Sequence, residues 1–392
     1  MLSFIHAGDV HLGNPMSGLS RNLPNNWQEA VQSAGYQAFD KLIDAAVNQR
    51  VDFVLFPGDL LNGAGQSAKV QATLLRGFLK LQKAGVQVVL SFGNHDYEAF
   101  SEASLAWPEN VHVFGHEVEE IVLKAKDGQR VAFVGFSYAD RAERRDRLAD
   151  FPNKGANVDY AIGLYHGMQG KPGDDYAAFS LDAMLKKGYD YWALGHIHQR
   201  AVLHEEPTIA YSGNLQGLNR KETGAKGAYL VKEEGGRLLS TFLDLAPLRF
   251  EEKVLDNPSG LLDLLKELQG TSFEQPTLLS LRLQGSIGEE LRLAAAQGDL
   301  LEKVQQAFLG STDFWPIHFF VEEKVSVSKP AFAAIDFDEA IEQTVGTESL
   351  LNLLSDEVPL AIREYFSEEE GQAAVTLKLR QLFEQGEGSD EN

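Results

Sequence analysis

Cysteine is absent from the 392 residues, which excludes disulfides and every thiolate metal site. No apolar run approaches the roughly 20 residues of a membrane span. The opening Met1-Leu2-Ser3-Phe4-Ile5 lacks the basic start of a secretory signal. These absences point to a cytoplasmic protein with no membrane segment. Positive charge is also scarce: 35 Lys and Arg stand against 57 Asp and Glu, a net −22, which at face value argues against a nucleic-acid partner. The imbalance is uneven, however. Residues 1–250 carry about −4, the remainder about −18, and residues 331–392 alone about −12. Local groups such as Arg141, Arg144, Arg145 and Arg147, or Arg220, Lys221 and Lys226, can serve as phosphate contacts or as ordinary solvated charges.

What is present is an ordinary soluble composition, 44% hydrophobic and 23% charged, in a chain long enough for two or three domains. Short apolar runs at Leu2–Ala7, Phe53–Pro57, Val86–Phe92 and Ala161–Tyr165 predict strands. Between them, Trp27–Val47 and Val70–Leu81 repeat apolar residues every three or four positions and predict helices. Buried strands alternating with amphipathic helices imply a layered α/β domain. Further runs at Val131–Phe136, Thr208–Tyr211 and Ala228–Val231 predict a second sheet stacked on the first. Beyond residue 247 the pattern changes. Helices at Leu261–Leu268 and Leu300–Phe308 and strands at Leu278–Leu283 and Trp315–Val321 read as a small α+β domain over 248–328. Lys329-Pro330 marks a boundary to an acidic helical tail, 329–392, with amphipathic segments Glu348–Leu354 and Ala374–Phe383 suited to docking on another helix.

Five polar segments sit where the apolar runs end: Gly8-Asp9-Val10-His11, Gly58-Asp59, Gly93-Asn94-His95-Asp96, His166-Gly167 and Gly195-His196-Ile197-His198. In open α/β sheets ligands collect beyond the carboxyl ends of strands, so these segments are expected on one edge. Residues spaced by two in extended chain point the same way, which lets Asp9 with His11, and His196 with His198, enter one site. Mixed carboxylate, amide and imidazole ligands favour manganese, iron or zinc in an open site over a closed structural zinc. Each segment alone is an ordinary turn or hydrogen-bonded histidine; their joint order is what carries the meaning.

That order, D-x-H, GD, GNHD, H-G and GH-x-H, resembles the calcineurin-like metallophosphoesterases. The stretch Phe4 to Gly13, and Tyr211-Ser212-Gly213-Asn214-Leu215-Gln216-Gly217 with Glu222-Thr223-Gly224-Ala225-Lys226-Gly227, resembles the SbcD/YhaO-type DNA repair exonuclease subunits. The resemblance covers residues 1–245 and implies a four-layer α/β/β/α sandwich followed by a capping domain and a tail. It implies two divalent metals, most simply Mn2+ with Fe2+ or Zn2+ as alternatives. One would be held by Asp9, His11 and His198, the other by Asn94, His166 and His196, with Asp59 bridging. A hydroxide between the metals would attack phosphorus in line. His95 would be the catalytic residue that is not a ligand, donating to the leaving oxygen, with orientation of Asn94 as its plainer role. Asp96 reads as a loop-fixing acceptor.

One position departs from the family pattern. Three residues past the bridging Asp these enzymes carry Asp or His beside the catalytic histidine, whereas here stands Asn62. An Asp would favour the charged ring of His95, but Asn62 can only orient it by a neutral hydrogen bond. The implied partners are DNA, an SbcC/YhaN-like coiled-coil ATPase docked on the tail, and a second copy through the Trp27–Val47 helix. Two other readings stay open: a phosphoesterase for small molecules or phosphoproteins, and a non-catalytic DNA-end scaffold.

Overall fold

The computed structural model describes residues 1–323, apart from 17–18, 20–22, 64–66, 101–106 and 172, together with residue 375. In chain order the first part runs β1 (Ser3–His6), α1 (Asn25–Gln49), β2 (Phe53–Pro57), α2 (Ala68–Lys83), β3 (Gln87–Ser91), β4 (Val111–Val113), β5 (Glu119–Lys124) and β6 (Arg130–Gly135). There follow α3 (Arg147–Asp150), β7 (Tyr160–His166), α4 (Leu181–Lys186), β8 (Tyr191–Gly195), β9 (Ala201–Glu205), β10 (Thr208–Tyr211), β11 (Gly227–Glu234) and β12 (Arg237–Asp244).

These strands form two six-stranded sheets, ordered β12-β11-β1-β2-β3-β4 and β5-β6-β7-β8-β10-β9. Strands β1 to β4 are mutually parallel, as are β6, β7, β8 and β10; antiparallel β11 and β12 close one edge of the first sheet, and antiparallel β5 and β9 both edges of the second. Period-two alternation sorts the side chains of the first sheet. Ile5, Val54, Phe56, Val88 and Leu90 pack under α1 and α2, while Phe4, Phe53, Leu55 and Val89 face the other sheet. There they meet Val131, Phe133, Ile162, Leu164 and Tyr191, with Phe53 and Phe133 edge to face at 4.8 Å. The outer face of the second sheet is covered by α3, α4 and their loops through Phe151, Met184, Tyr189 and Trp192. The layers are therefore α/β/β/α, as expected, but the run Ala228–Val231, expected in the second sheet, lies in the first, where β11 pairs with β1.

A third sheet follows: β13 (Arg249–Asp256), α5 (Leu261–Gln269), β14 (Thr277–Gly285), α6 (Glu289–Gln297), α7 (Leu300–Ala307) and β15 (Phe314–Glu323). All three strands are parallel, so the expected mixture of helix and strand takes the alternating crossover form. Its helices cover one face through Leu264, Leu281, Leu291 and Val304. The opposite face meets α1: Trp27 is buried among Phe250, Leu278 and Trp315 and donates Nε1–H to the Ser311 carbonyl at 3.0 Å. This contact ties the third sheet into one compact unit, Met1–Lys324, with the double sheet; Val325–Asn392 is a second unit. The Lys329-Pro330 boundary and the tail helices expected at Glu348–Leu354 and Ala374–Phe383 lie outside the described residues, save residue 375. Among the described residues no helix is long and apolar enough to cross a membrane.

Candidate metal centre

The carboxyl ends of β1, β2, β3, β7 and β8 meet at one edge of the two sheets, and each delivers one of the five polar segments. The backbone there is unusual. Asp9 (φ 49°), His11 (φ 46°), Asp59 (φ 51°) and His196 (φ 99°) all adopt the left-handed conformation that non-glycine residues rarely take. Such strain persists where surrounding structure enforces it, and it turns these side chains inward off the strand ends. Space is equally constrained. A Cβ on Gly93 would stand 2.3 Å from Asp59 Oδ1 and 2.6 Å from His166 Nε2, and one on Gly58 2.2 Å from His166 Nδ1. The glycines of the GD and GNHD segments are thus needed for a buried histidine to enter the edge.

All the expected ligands converge. Asp9, His11 and His198 present ligand atoms within 4.8 Å of one another, and so do Asp9, Asp59 and His166. His11 Nε2 and His198 Nε2 face each other at 3.0 Å. Asp59 Oδ2 lies 3.6 Å from His11 Nε2 and 3.5 Å from His166 Nε2, spanning the two groups. Asn94 Oδ1 is 2.9 Å from His166 Nε2 and 3.1 Å from His196 Nδ1. One difference from expectation is that Asp9 approaches both groups, not only that of His11 and His198. No further grouping of three such residues occurs among the described residues.

The electrostatics suit cations. Burial pushes the His11 and His196 imidazoles down to about 3, so both are neutral with a lone pair free to bind metal. Burial pushes the Asp9 carboxyl up to about 6, the sign of an acid short of positive charge. Burial would also raise Asp59, but the nearby His166 and His11 rings outweigh it and hold the carboxyl below its ordinary value. His11 Nδ1 is buried and without a hydrogen-bond partner, while its Nε2 turns toward His198 and Asp59. Imidazole nitrogens and carboxylate oxygens converging within 4.8 Å of one another fit divalent metals.

Neighbouring residues fix this arrangement. Asp9 accepts from the His196 backbone N–H at 2.8 Å, and Asp59 from that of His95 at 2.9 Å. His166 Nδ1 is 3.0 Å from the Pro57 carbonyl, and its own carbonyl accepts from Tyr138 Oη at 3.0 Å. Asp96 holds the GNHD loop, accepting from Gly93 N–H at 2.6 Å and Leu61 N–H at 3.0 Å. Its burial, aided by the charge of Asp59, pushes that carboxyl well above the usual range. The loop-fixing reading of Asp96 therefore holds in the structure.

His95 is exposed and lies edge-on to His11, ring centroids 5.0 Å apart, at the mouth of the site. Asn62 corrects an expectation. Its Oδ1 accepts from Asn14 Nδ2 at 2.9 Å, so its amide pairs with the loop after His11 and not with the His95 ring. Asn14 is held in turn, its Oδ1 accepting from the Met16 N–H at 2.8 Å. A short-range motif reading had no means of seeing this partner from 48 residues away.

Two residues were missed. Tyr176 stacks on His196, centroids 4.4 Å apart, from the loop between β7 and α4. Glu222 accepts from His198 Nδ1 at 2.9 Å. Burial alone would raise the Glu222 carboxyl, but His198 and surrounding donors hold it at about 2. In the sequence the Glu222 segment carries only its family resemblance; nothing local marks it as a histidine partner.

A family model described as calcineurin-like phosphoesterase matches residues 2–200. The uncharacterized metallophosphoesterase YhaO of Bacillus subtilis is 37% identical over 331 residues, covering 81% of this chain and 80% of its own. The DNA double-strand break repair protein Mre11 of Methanocaldococcus jannaschii is 28% identical over 251 residues, 60% of this chain and 64% of its own. Mre11 of Thermoplasma acidophilum is 23% identical over 303 residues, 73% and 78% respectively. Among solved structures, a dimetal phosphatase from Danio rerio matches with a TM-score of 0.37 and 11% identity, over 60% of this chain and 93% of that one.

Proposed function

Because the chain belongs to the calcineurin-like phosphoesterase family, we propose that it is a metal-dependent DNA phosphodiesterase of the SbcD/YhaO type, working in the cytoplasm in double-strand-break repair with an SbcC/YhaN-like coiled-coil ATPase. In this reading Asp9, His11 and His198 would hold one divalent cation and Asn94, His166 and His196 the other, with Asp59 lying between the two groups. Mn2+ is the preferred ion. Two such cations supply Lewis acidity and lower the pKa of bound water.

The chain's own groups have separable tasks. The Asp96 carboxylate keeps the GNHD loop closed, so that Asn94 stays at the edge and His95 at the mouth. From there His95 donates a proton or hydrogen bond to the departing oxygen, a role worth about 10²–10⁴ in rate. With Asn62 engaged by Asn14, His95 has no carboxylate partner from that position. The domain reading, a nuclease domain over 1–247 with a cap over 248–328 and a docking tail over 329–392, is part of the proposal. So is a homodimer through α1.

The observation that carries the phosphodiester chemistry is the facing pair of His11 and His198 nitrogens at 3.0 Å, with Asp59 Oδ2 reaching toward His11 and His166. DNA as substrate rests on the relatives whose names state DNA double-strand break repair. The test is Mn2+-dependent cleavage of end-labelled duplex and hairpin DNA, beside nucleotides and bis-aryl phosphates, with His95→Ala as control. Cleavage of DNA, lost in the variant, is expected. Turnover of the small esters alone would replace this reading with a small-substrate phosphoesterase, and inertness on every substrate would favour a scaffold.

A further inference from the structure

Three histidine rings of the edge, His11 and His166 buried and His198 half-buried, differ in what holds them. His166 leans on a backbone carbonyl, through Nδ1 to Pro57 O at 3.0 Å. His11 has no partner for Nδ1. His198 meets a carboxylate, Glu222 Oε1, at 2.9 Å from Nδ1. Glu222 is itself saturated: Asn214 Nδ2 donates at 2.6 Å, Asn219 Nδ2 at 2.7 Å and the Leu218 N–H at 2.8 Å. So tied, the carboxylate cannot swing round to become a ligand. It fixes the His198 tautomer with the proton on Nδ1 and the lone pair on Nε2, the atom that faces His11. The His198 main chain is gripped from the same segment, its carbonyl accepting from Lys226 Nζ at 2.9 Å and the Asn214 N–H at 3.3 Å. The family match ends at residue 200, so this support comes from outside it.

We propose that Glu222 is a positioning residue that sets the affinity of one of the two metal positions, that of Asp9, His11 and His198, and leaves the other to be set independently. A charged acceptor behind an imidazole raises its basicity and removes its rotational freedom, and partners of this kind are typically worth about 10–100-fold in metal affinity. Among the described residues the Asn94 side has no equivalent, since His166 rests on a carbonyl and the Nδ1 of His196 faces Asn94 itself. The two positions should therefore fill unequally, and their difference should depend on Glu222.

This inference rests on the two-metal reading, and one experiment separates the two. Mn2+ is titrated calorimetrically into the full chain, wild type, Glu222→Ala and Glu222→Gln, and spin coupling between ions is followed by electron paramagnetic resonance. Wild type binding fewer than two Mn2+ per chain would sink the two-metal reading. With two bound, Glu222→Ala is expected to weaken one position by about 100-fold and Glu222→Gln, which keeps an acceptor but not the charge, by about 10-fold, the other position unchanged. At matched loading the variants should show isolated ions where wild type shows a coupled pair. Unchanged affinities, or equal loss at both positions, would overturn the role of Glu222. If Glu222→Ala does not fold, Glu222→Gln decides the matter alone.

Discussion

Two edges of this molecule invite comparison, because both gather polar residues at the carboxyl ends of parallel strands. In the double sheet those residues are Asp9, Asp59, Asn94, His166, His196 and His198, most of them buried. In the third sheet they are Asp256, Gln284 and Glu322, which remain partly or fully exposed. There Gln284 Nε2 donates to Asp256 Oδ1 at 2.6 Å and Asn257 Oδ1 accepts from the Ser286 N–H at 2.7 Å, so the groups satisfy one another. Topology alone therefore makes a place for polar residues, not a metal centre. What the first edge adds is imidazole and the glycines that admit it, with left-handed backbone at four of its polar residues where the other edge has it at Asn257. The ligand-type atoms of the first edge converge within 4.8 Å of one another, and that convergence is what a cation would meet.

The comparison can be broken or sharpened by substitution. The largest effect is expected from Asp59→Ala, which removes the carboxylate lying within 3.6 Å of His11 and 3.5 Å of His166. Phosphodiesterase kcat/KM should fall by about 10⁴-fold, roughly 5 kcal/mol, and retention of activity within tenfold would end the claim that Asp59 joins the two metals. Next comes Trp27→Ala at the seam of the two regions. Emptying the cluster of Phe250, Leu278 and Trp315 should cost about 3–5 kcal/mol, read as a lowered urea midpoint. A loss below 1 kcal/mol, on the order of an ordinary surface change, would show that the seam contributes little.

Gly93→Ala should cost about 1–3 kcal/mol and lower metal stoichiometry, because its Cβ would overlap both Asp59 and His166. Normal metal content would mean the edge relaxes more freely than its burial suggests. Acidity should act on the same edge. Asp9 has its carboxyl raised to about 6, and a protonated carboxyl cannot ligate, so Mn2+ affinity should fall as pH drops through about 6. A binding curve flat across that range would contradict it. The smallest effect belongs to the other edge: Asp256→Ala should shift stability by no more than about 0.5 kcal/mol and leave Mn2+ stoichiometry unchanged. A lost metal there would erase the contrast between the edges.

How far the sequence foretold these features varies with the range of the interaction. The strands carrying the site were legible because each is an apolar run ending in Gly-Asp, Gly-Asn-His or Gly-His. The strand β13 was not: Arg249-Phe-Glu-Glu-Lys-Val-Leu-Asp is mostly charged, since much of that strand faces water. The helix α6 escaped as well, for its Ala-rich face gives only weak periodicity. At the site, the loop-fixing role of Asp96 is legible because one of its donors, Gly93, is only three residues away. The family pattern puts Asn62, three residues past the bridging Asp, beside His95, whereas its Oδ1 accepts from Asn14 in the loop after His11. Glu222 carries no local mark, because a carboxylate becomes a histidine partner only through the fold around it.

The sequence by itself determined the kinds of atoms available: carboxylate, amide and imidazole, no thiolate, spaced along strand ends so that alternation and topology bring them to one edge. It also determined where glycine leaves room. Tertiary structure alone decided which nitrogen of each ring faces inward, which groups stay unpaired, and which distant side chain steadies His198. Side-chain identity fixes what an atom can bind, but hydrogen-bond partners across 24 to 187 residues fix where it points and in what protonation state.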